Sequence, residues 1–502
     1  MGIMAQLPAL IVVTPLLLAF LVYLVGIFRP RLSYPLVLLG TSLSFIFSLG
    51  ILYQVLHSSA PLSYHLGGWE PPWGIEYRID HLNALVLAAV AAVAWLVVLF
   101  AKGLVDREIE LQKQPHLYTL LLLEITGLFG ITVTGDMFNL YVLLEIASFS
   151  AYALIAMGGR GAAFAAFRYV IFGTIGACAY LLSVGYLYIL SGSLNMADLK
   201  GIIPGLLHSK ALLVGFAFMV MGVGIKMGIF PLHSWLPDAY TLAPSAVAAL
   251  LAPLFTKVGA YVIVRVTYGV FPLSFSVKDY PAAEALGWLA IGGVIFGCVM
   301  ALAQRDLKRM LCYLIVAEMG YILMGVATGN RTGITGAVLH IVNDAFMMAC
   351  LFTVVGAIHY VRGTRDLDDL KYLHIQMPLT SAVLVVGGLA VVGIPPLCGF
   401  FSKWYLILGA VEARRWGMVA VLLLSSLLNA IVFFRLIERA YLEVQPAEAF
   451  VPNGGTHLKV KLDSLPKGMI FSLLLLASAL LFLGLFSGTI VKEIIYPFVN
   501  GL

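Results

Sequence analysis

The chain has little charge for its length. Asp, Glu, Lys and Arg make up 11% of its 502 residues, whereas about 25% is usual for a globular protein. Hydrophobic residues make up 61%, and the mean hydropathy is +1.00. A soluble protein of this size has no way to bury so much apolar surface, so the sequence predicts an integral membrane protein. The net charge of +5 is small and its basic residues are scattered, which argues against a nucleic-acid partner.

Cysteine is also scarce. The five cysteines lie singly in apolar runs, at Cys178, Cys298, Cys312, Cys350 and Cys398. Without a CxxC pair, a Cys/His cluster or a haem-ligating His pair, nothing in the sequence indicates a disulfide framework, a metal site or an iron-sulfur cluster. We therefore expect no cofactor and no redox centre in this chain.

Long apolar runs dominate what is present. Runs of about 20 residues, the length that crosses a bilayer, occur fourteen times, at 7–27, 35–57, 80–102, 117–134, 136–158, 168–191, 210–240, 244–270, 283–303, 307–328, 332–360, 378–411, 415–444 and 468–488. The first run lacks preceding basic residues and a cleavage site, which predicts a retained span. We expect a single all-α membrane domain over residues 1–502.

Lys and Arg are distributed unevenly between the connections. Seventeen fall after odd-numbered spans, whereas eight fall after even-numbered spans: Arg78, Lys200, Lys210, Lys278, Arg331, Arg414, Arg415 and Lys492. Because cytoplasmic connections carry the excess of Lys and Arg, we expect the first group in the cytoplasm. Both termini of this multi-pass protein then face the outer side of the cell membrane.

A set of ionisable side chains lies inside the predicted spans. A lysine at the centre of a span costs roughly 2.5 to 3.5 kcal/mol, so each is a functional candidate by default. The set is Lys226, Lys257, Arg265, Lys403, Arg435, Glu124, Glu145, Glu318, Asp344, His340 and His359. A single such residue is often a hydrogen bond between helices, but a structural bundle does not need so many. The set as a whole indicates an ion path.

Residues 221–240 combine a buried lysine with a helix break. Lys226 precedes Pro231 by little more than a turn, and a proline leaves carbonyls of the preceding turn without a donor. A membrane tolerates such backbone only against protein or a water-filled cavity. We expect a discontinuous seventh helix with an amine at its break. His233 and Asp238 are expected to fix the geometry of the break and gate entry, with direct proton transfer by His233 as the alternative.

A weak internal repeat marks a second break. The sequence GIFPL that begins at Gly228 recurs as GIPPL at Gly393, where the prolines are Pro395 and Pro396. A lysine lies near each break, and in the second case it is Lys403. Proline-interrupted helices at corresponding places in two halves are typical of transporters built from repeats. We therefore expect the ion path to run through both broken helices, the seventh and the twelfth.

At these residues the sequence resembles the proton-pumping antiporter-like subunits of Mrp-type sodium/proton antiporters, membrane-bound hydrogenases and respiratory complex I. Three stretches carry the resemblance: TGDMFNLYVLLEIASFSAYALI (134–155), MGVGIKMGIFPLHSWLPDAYTLAPSAVAALLAPLFTKVGAYVIVR (221–265) and GIPPLCGFFSKWYLI (393–407). LSGSLNMADL (190–199) and AEMGYILMG (317–325) support it. The resemblance spans roughly residues 80–440. The first stretch is most similar to the D-type member of the Mrp antiporters and its hydrogenase counterpart, which favours that branch over complex I.

The resemblance implies fourteen helices with two inverted five-helix repeats, at 117–270 and 283–444 in this chain. It also implies a polar axis at mid-membrane. Carried over by motif, the axis consists of Glu145 as the acidic partner of Lys226, Lys257 as the central relay, His340 as the link between the halves, and Lys403 as the terminal site.

The eleventh helix departs from the family pattern. Many members follow the histidine with N-H-A-x-x-K, whereas here Asp344 replaces the second histidine and Met348 replaces the lysine. Asp344 lies four residues after His340, on the same helical face, so we expect it to relay protons or bind a cation. The missing lysine interrupts the expected path to Lys403, which water or a neighbouring subunit would have to complete.

Charge coupling predicts a mechanism. Burial disfavours the charged form of an amine, and a nearby carboxylate restores it, so movement or protonation of Glu145 would switch Lys226 between holding and releasing a proton. A change of about two units in the pKa of Lys226, at about 1.4 kcal/mol per unit, supplies more free energy than the roughly 2.3 kcal/mol that one charge needs to cross 100 mV. We expect protons to enter from the cytoplasm near the eighth helix and to pass Lys226, Lys257, His340 and Asp344 before leaving near Lys403.

Several functions are compatible with these features. The favoured one is an ion-translocating subunit that moves protons, or exchanges Na+ for H+, together with other membrane subunits. The alternatives are a membrane subunit of a quinone- or hydrogenase-linked redox pump such as complex I, a subunit that energises inorganic carbon uptake, and a stand-alone carrier of a small solute. Glu124 and Glu318 fit equally well as contacts that hold helices together and as a lateral cation route to a partner subunit.

Overall fold

The structure is a computed structural model that describes residues 3–58, 60–273, 275, 282–441 and 463–502. Its helices are α1 (Ile3–Phe28), α2 (Ser33–His57), α3 (His81–Glu108), α4 (Gln114–Val133), α5 (Met137–Ala156), α6 (Ala162–Ser191), α7 (Met196–Ile202), α8 (Lys210–Met227), α9 (Leu236–Leu242), α10 (Ser245–Gly269), α11 (Ala282–Leu302), α12 (Leu307–Ala327), α13 (Arg331–Arg362), α14 (Leu373–Gln376), α15 (Pro378–Val392), α16 (Cys398–Glu412), α17 (Trp416–Tyr441), α18 (Lys467–Leu485), α19 (Ser487–Ile490) and α20 (Tyr496–Asn500). Single 3₁₀ turns lie at Pro30–Leu32, Leu66–Gly68, Ile203–Leu206 and Leu367–Leu370, and a π turn lies at Val491–Ile495.

The helices confirm the predicted membrane protein. Within the described residues, 13 helices are long and apolar enough to cross a bilayer, and α15 is a shorter apolar helix. Since α8 and α9 form one broken span and α15 and α16 another, the fourteen predicted spans are all present in order. The inverted five-helix repeats remain a prediction.

A small hairpin was not predicted. Strands β1 (Leu62–His65) and β2 (Glu76–Ile79) pair in antiparallel register inside the connection between α2 and α3. Buried Glu76 on β2 accepts hydrogen bonds from Ser63 at 2.7 Å and from Asn195 at 3.0 Å. The hairpin therefore joins the connection that follows α6 to the one that follows α2.

Polar side chains begin several of the long helices. Asp80 accepts hydrogen bonds from the N–H groups of Leu82 and Asn83 at the start of α3, and Asp136 accepts one from Asn139 at the start of α5. The first four N–H groups of a helix have no partner within the helix, so such side chains stabilise the helix start. At a membrane surface they also keep these donors away from hydrocarbon.

The helices α10, α12 and α13 form the centre of the bundle. In the most apolar segment of each, 94%, 100% and 100% of the residues are buried, against 33% in α1, α2 and α17. Lys257 on α10, Glu318 on α12, and His340 and Asp344 on α13 are all buried. The protein itself therefore shields these ionisable groups from lipid, as an intramembrane charge requires.

The two predicted helix breaks share one local structure. Helix α8 ends at Gly228 with a φ of 75°, and α15 ends at Gly393 with a φ of 90°. In each case the N–H of the next residue returns to a carbonyl in the last helical turn, at 3.0 Å from Ile229 to Gly224 and 3.1 Å from Ile394 to Leu389. This hydrogen bond belongs to the Schellman motif, for which glycine is favoured because it adopts a positive φ.

Connections sort onto two faces of the bundle. Face A consists of the connections 29–32, 109–113, 157–161, 243–244, 303–306 and 363–377, and face B of 58, 60–80, 134–136, 192–209, 328–330 and 413–415. On face A, Arg365 and Asp306 form an ion pair between two connections. On face B, a β-bridge between Asp136 and Asn195 joins two connections, and Arg265 near the end of α10 pairs with Asp80. Of the basic residues counted for orientation, Lys278, Lys459 and Lys461 lie outside the described residues.

Three ionisable residues lie closer to a face than the sequence indicated. Arg265 reaches Asp80 on face B at 2.7 and 2.8 Å. Arg435 donates to the carbonyls of Leu302 and Gln304 on face A, and His359 lies 3.2 Å from Glu108 at the same face. Hydropathy alone placed them within spans, but long side chains near a helix end reach the polar boundary. They are not part of the mid-membrane set.

Candidate ion path

The Lys226 site lies at the end of α8. The ammonium group of Lys226 contacts Glu145 Oε1 at 3.0 Å, Ser148 Oγ at 2.6 Å and the hydroxyl of Tyr152 at 3.3 Å. Lys226 is 2% exposed and Glu145 18%. A lysine has three N–H donors, and all three are occupied. The structure therefore places Glu145 beside Lys226, as the motif implied.

The helix break fixes this lysine in place. Lys226 lies in the last turn of α8, where the C-terminal end of the helix dipole favours a cation. The carbonyl of Ile225 accepts a hydrogen bond of 2.9 Å from Trp235 Nε1, in addition to one of 3.2 Å from the N–H of Gly228. Trp235 in turn stacks on Tyr169 of α6, with ring centroids 3.8 Å apart. The sequence after the break thus provides a second donor to a carbonyl in the last turn of the helix.

The next pair of charges lies between α10 and α13. Gly259 of α10 lies against Met227, so close that a Cβ would be 2.9 Å from the Met227 side chain, and this contact brings the two lysine-bearing segments together. Lys257 Nζ lies 2.9 Å from Asp344 Oδ2, and the two side chains are 1% and 0% exposed. The nitrogen also donates to the carbonyl of Ala252 at 3.2 Å. Sequence reasoning placed Asp344 beside His340 and did not predict this ion pair.

His340 connects three helices. Its Nε2 lies 2.7 Å from Glu318 Oε2 on α12, and its Nδ1 lies 2.9 Å from Ser402 Oγ on α16. All three side chains are fully buried. Asp344 follows one turn later on α13, on the same helical face. The contact of Glu318 with His340 brings this carboxyl group into the polar axis.

Lys403 lies just beyond the second break. Its Nζ donates to the carbonyl of Val391 at 2.7 Å and lies 4.8 Å from the centre of the Tyr321 ring. Val391 is in the last turn of α15, so Lys403 supplies a donor to the end of the interrupted helix. Within the described part of the chain, Lys403 forms no ion pair.

The residues of the first break separate in space. His233 is buried between the rings of Phe230 and Phe296, with centroids 5.6 and 4.9 Å away. Asp238 is 26% exposed and pairs with Arg168 at 2.5 Å and Arg309 at 3.2 Å, near face A. Of the two residues expected to fix the geometry of the break and gate entry, Asp238 is the one that is partly exposed, and their roles stay a prediction. Pro231 lies within the break itself, as Pro395 and Pro396 do in the second.

Sequence reasoning missed several polar neighbours. Ser148 and Tyr152 follow Glu145 by three and seven residues, a spacing that places all three on one face of α5, so this signal was available. Ser402 precedes Lys403 directly. By contrast, nothing in the sequence joined Tyr321 on α12 to the lysine on α16, because that contact depends on how the two helices pack.

One known protein family matches the middle of the chain. The family described as "NADH:quinone oxidoreductase/Mrp antiporter, TM" matches residues 134–429, more than half of the chain. The chain belongs to this family. The match includes both helix breaks and every residue of the candidate path from Glu145 to Lys403.

Relatives agree with this assignment over nearly the whole chain. The NADH-quinone oxidoreductase subunit N of Desulforudis audaxviator is 44% identical over 504 residues, which covers 98% of each chain. The D-type member of the Na(+)/H(+) antiporter of Bacillus subtilis is 31% identical over 393 residues, 78% of each chain. One of these relatives is a subunit of an NADH-quinone oxidoreductase and the other a subunit of an antiporter. The preference for the Mrp branch over complex I therefore stays a prediction.

Solved structures have the same fold. A chain of the membrane-bound sulfane sulfur reductase, an archaeal respiratory membrane complex, matches with a TM-score of 0.86 and 30% identity over 97% of this chain and 96% of that one. A chain of the Mrp complex from Dietzia sp. matches with a TM-score of 0.87 and 22% identity over 98% and 96%. Membership of the family makes this chain an ion-translocating membrane subunit, as the resemblance implied.

Proposed function

We propose that this chain moves protons across the membrane along Glu145, Lys226, Lys257, Asp344, His340, Glu318 and Lys403, as one subunit of a larger membrane complex. The observation that carries the proposal is the ion pair of buried Lys226 and partly exposed Glu145, 3.0 Å long, at a helix break. A titratable amine at such a break is the kind of group that transporters use for ions. The remaining residues extend the path through the centre of the bundle.

The pair at the first break works as a switch. While Glu145 contacts Lys226, the carboxylate stabilises the ammonium group. When Glu145 moves away or takes up a proton, burial favours the neutral amine, and the proton leaves toward Lys257. Because Gly259 lies against Met227, the two lysine sites are neighbours across α8 and α10. Release of a proton at one lysine therefore changes the electrostatic potential at the other lysine.

The second half continues the path without the lysine of the family pattern. Asp344 forms an ion pair with Lys257, and His340, one turn earlier, contacts Glu318 and Ser402. These contacts support a route from α10 through α13 to the helix that carries Lys403. In this proposal Asp344 takes the place of the histidine and removes the need for a second lysine at Met348, which is buried.

Direction and partners are part of the proposal. The Lys and Arg excess on the connections of face A supports a cytoplasmic location for that face in the cell membrane, with both termini outside. Protons then enter from face A and leave near Lys403. The relatives named above support other membrane subunits of an Mrp-like or complex I-like assembly as partners, with Na+ as a second ion if the assembly is an antiporter.

A second candidate for the energy source is a redox reaction in a partner subunit. It is favoured by the 44% identity to a subunit named NADH-quinone oxidoreductase subunit N and the 30% identity to a chain of a sulfane sulfur reductase. In this version the chain still moves protons and holds no redox centre. Vesicles that contain the purified complex distinguish the two: a redox pump acidifies or alkalinises the lumen on addition of electron donor and acceptor, whereas an antiporter responds to an imposed Na+ gradient.

The central proposal is tested by substitution in the assembled complex. Lys226→Ala and Glu145→Gln should each abolish ion-driven pH changes in vesicles, measured with a pH-sensitive dye. Lys210→Ala is the matched control, since Lys210 is an exposed lysine at the other end of α8. Transport at the wild-type rate in Lys226→Ala would refute the assignment.

A further inference from the structure

Glu124, near the middle of α4, is a buried carboxyl group that the path above does not use. It is 0% exposed, and neither of its oxygens has a hydrogen-bond partner among the described residues. One turn later Gly127 packs so tightly on α5 that a Cβ would lie 2.8 Å from the backbone nitrogen of Ala147. This face of α4 therefore meets the turn of α5 that carries Glu145 and Ser148. A carboxyl group that held helices together would have partners, so the structure does not support that role.

Glu124 is close to Lys226 but is not its partner. The two groups interact electrostatically, yet the three N–H donors of Lys226 go to Glu145, Ser148 and Tyr152. A buried carboxylate without a counter-ion or a donor is very costly, so such a group takes up a proton instead. One ammonium group and one carboxylate already balance each other here. The geometry therefore leaves Glu124 as a neutral acid while the ion pair is closed.

Two tyrosine hydroxyls lie in the same region. Tyr169 on α6 and Tyr240 on α9 are fully buried, and within the described chain neither hydroxyl has a hydrogen-bond partner. Both groups interact electrostatically with Glu124, and both rings pack on Trp235, at 3.8 and 5.7 Å. Buried polar atoms without partners are rare in proteins, and each needs an explanation. A path for protons or water that passes the Glu124 carboxyl group and the two tyrosine hydroxyls explains all three unpartnered groups together.

Helix α9 leads from this region to face A. Asp238, two residues before Tyr240, is partly exposed and pairs with Arg168 and Arg309. At the end of α9 the carbonyl of Thr241 accepts a hydrogen bond from Arg365 of the face A connections, at 3.0 Å. The tyrosines thus lie between a surface carboxylate and the buried acid.

We propose that Tyr240, Tyr169 and Glu124 form the proton inlet from face A to Lys226, and that Glu124 holds the proton that reloads the lysine. After Lys226 has released its proton, the O–H bond of Glu124 breaks and an N–H bond forms on the neutral amine, which leaves a carboxylate beside an ammonium group. The carboxylate is then reprotonated from face A through the tyrosine hydroxyls. The inference rests on the proposed role of Lys226.

Infrared spectroscopy of the purified complex tests the protonation of Glu124. A neutral carboxyl group has a C=O stretching band that is distinct from the bands of a carboxylate. This band should be present at neutral pH in the wild type, in which the ion pair of Lys226 and Glu145 is closed, and one component should be absent in Glu124→Gln. An unchanged band in Glu124→Gln would overturn the inference, whatever the transport rate.

Transport measurements test the inlet itself. In vesicles, Glu124→Gln should lower the rate at least tenfold, and Tyr240→Phe and Tyr169→Phe should each lower it several-fold. Tyr118→Phe is the matched control, because Tyr118 on α4 is also buried with an unpartnered hydroxyl within the described chain but lies next to Tyr34 instead of Glu124. Equal slowing in all three tyrosine variants would contradict the inlet.

The two proposals fail in different ways. If Lys226→Ala abolishes transport while Glu124→Gln transports at the wild-type rate, the inlet is wrong and the path through Lys226 stands. If Lys226→Ala transports normally, both are wrong. Thermal unfolding of each variant complex shows that a lost rate does not reflect a lost fold.

Discussion

Lys226 and Lys257 each face a carboxylate, but their surroundings differ. Glu145 keeps 18% of its surface exposed, whereas Asp344 is fully enclosed. The partly exposed pair at the helix break has room to open, and the enclosed pair between α10 and α13 does not without movement of a helix. This contrast assigns the switching step to the first site and the relay step to the second.

The enclosed pair gives a prediction about stability. Removal of one member of a buried ion pair leaves an uncompensated charge and typically costs about 3–5 kcal/mol, whereas replacement of both by apolar residues is often neutral. Asp344→Leu should therefore destabilise the complex by about that amount, and Lys257→Met combined with Asp344→Leu should restore most of the stability but no transport. Thermal unfolding and vesicle transport of both variants check this. A double variant as unstable as the single one would contradict it.

At the scale of elements, the two breaks share the same turn, but a different side chain donates to a carbonyl in the last turn of each helix. In the first, the indole of Trp235 donates to Ile225; in the second, the amine of Lys403 donates to Val391. The second lysine is therefore part of the structure of its break as well as a candidate for proton transfer. A change at Lys403 affects both roles, so it is a poor test of transport alone.

Helix α18 closes the second break, and this contact can be tested. A Cβ at Gly484 would lie 2.0 Å from the carbonyl oxygen of Pro396, whereas a Cβ at Gly488 would meet nothing within 4 Å. Overpacking of this kind typically costs about 1–3 kcal/mol. Gly484→Ala should lower the thermal stability of the complex and its transport rate, and Gly488→Ala should change neither. Equal stability of the two variants would show that the contact is loose.

The contact between α3 and α10 predicts a pH dependence. Burial opposes the charge on Asp80, but the Arg265 guanidinium and two backbone N–H groups outweigh it and hold the pKa of this carboxyl below its usual range. A lowered pKa in the folded state adds stability above the pKa of the unfolded chain, about 3.9, and this stability is lost as the pH falls through the folded value.

Asp80→Asn removes that dependence. The wild type should be more stable than Asp80→Asn at about pH 6, by roughly 1.5–3 kcal/mol for a hydrogen bond to a charged group, and the difference should shrink as the pH falls below about 4. Thermal unfolding of the two complexes over this range measures it. A difference that grows toward low pH would contradict the assigned sign.

At the scale of the whole molecule, the distribution of connections between the two faces predicts that face B lies outside the cell and face A in the cytoplasm. In right-side-out vesicles, a Lys200→Cys variant should react with a membrane-impermeant thiol reagent, because Lys200 lies on face B. A Lys113→Cys variant should react only after permeabilisation, because Lys113 lies on face A. Cys178 is exposed on the bundle surface, so both variants also carry Cys178→Ala. The reverse pattern would place face A outside.

The sequence by itself determined the spans, their order, the two helix breaks and the family. Each of these depends on local properties: runs of apolar residues, glycine and proline at the breaks, and a motif within one continuous stretch. The motif also indicated the contact of Glu145 with Lys226. These features need no knowledge of which helices pack together.

Only the tertiary structure decided which charges meet. The pairing of Lys257 with Asp344, the contact of His340 with Glu318 and Ser402, and the isolation of Glu124 all depend on residues from different helices. Hydropathy placed Arg265 and Arg435 inside spans because it counts residues along the chain and ignores how far a long side chain reaches. The electrostatics of a buried group depend on its neighbours in space, and these are set by helix packing.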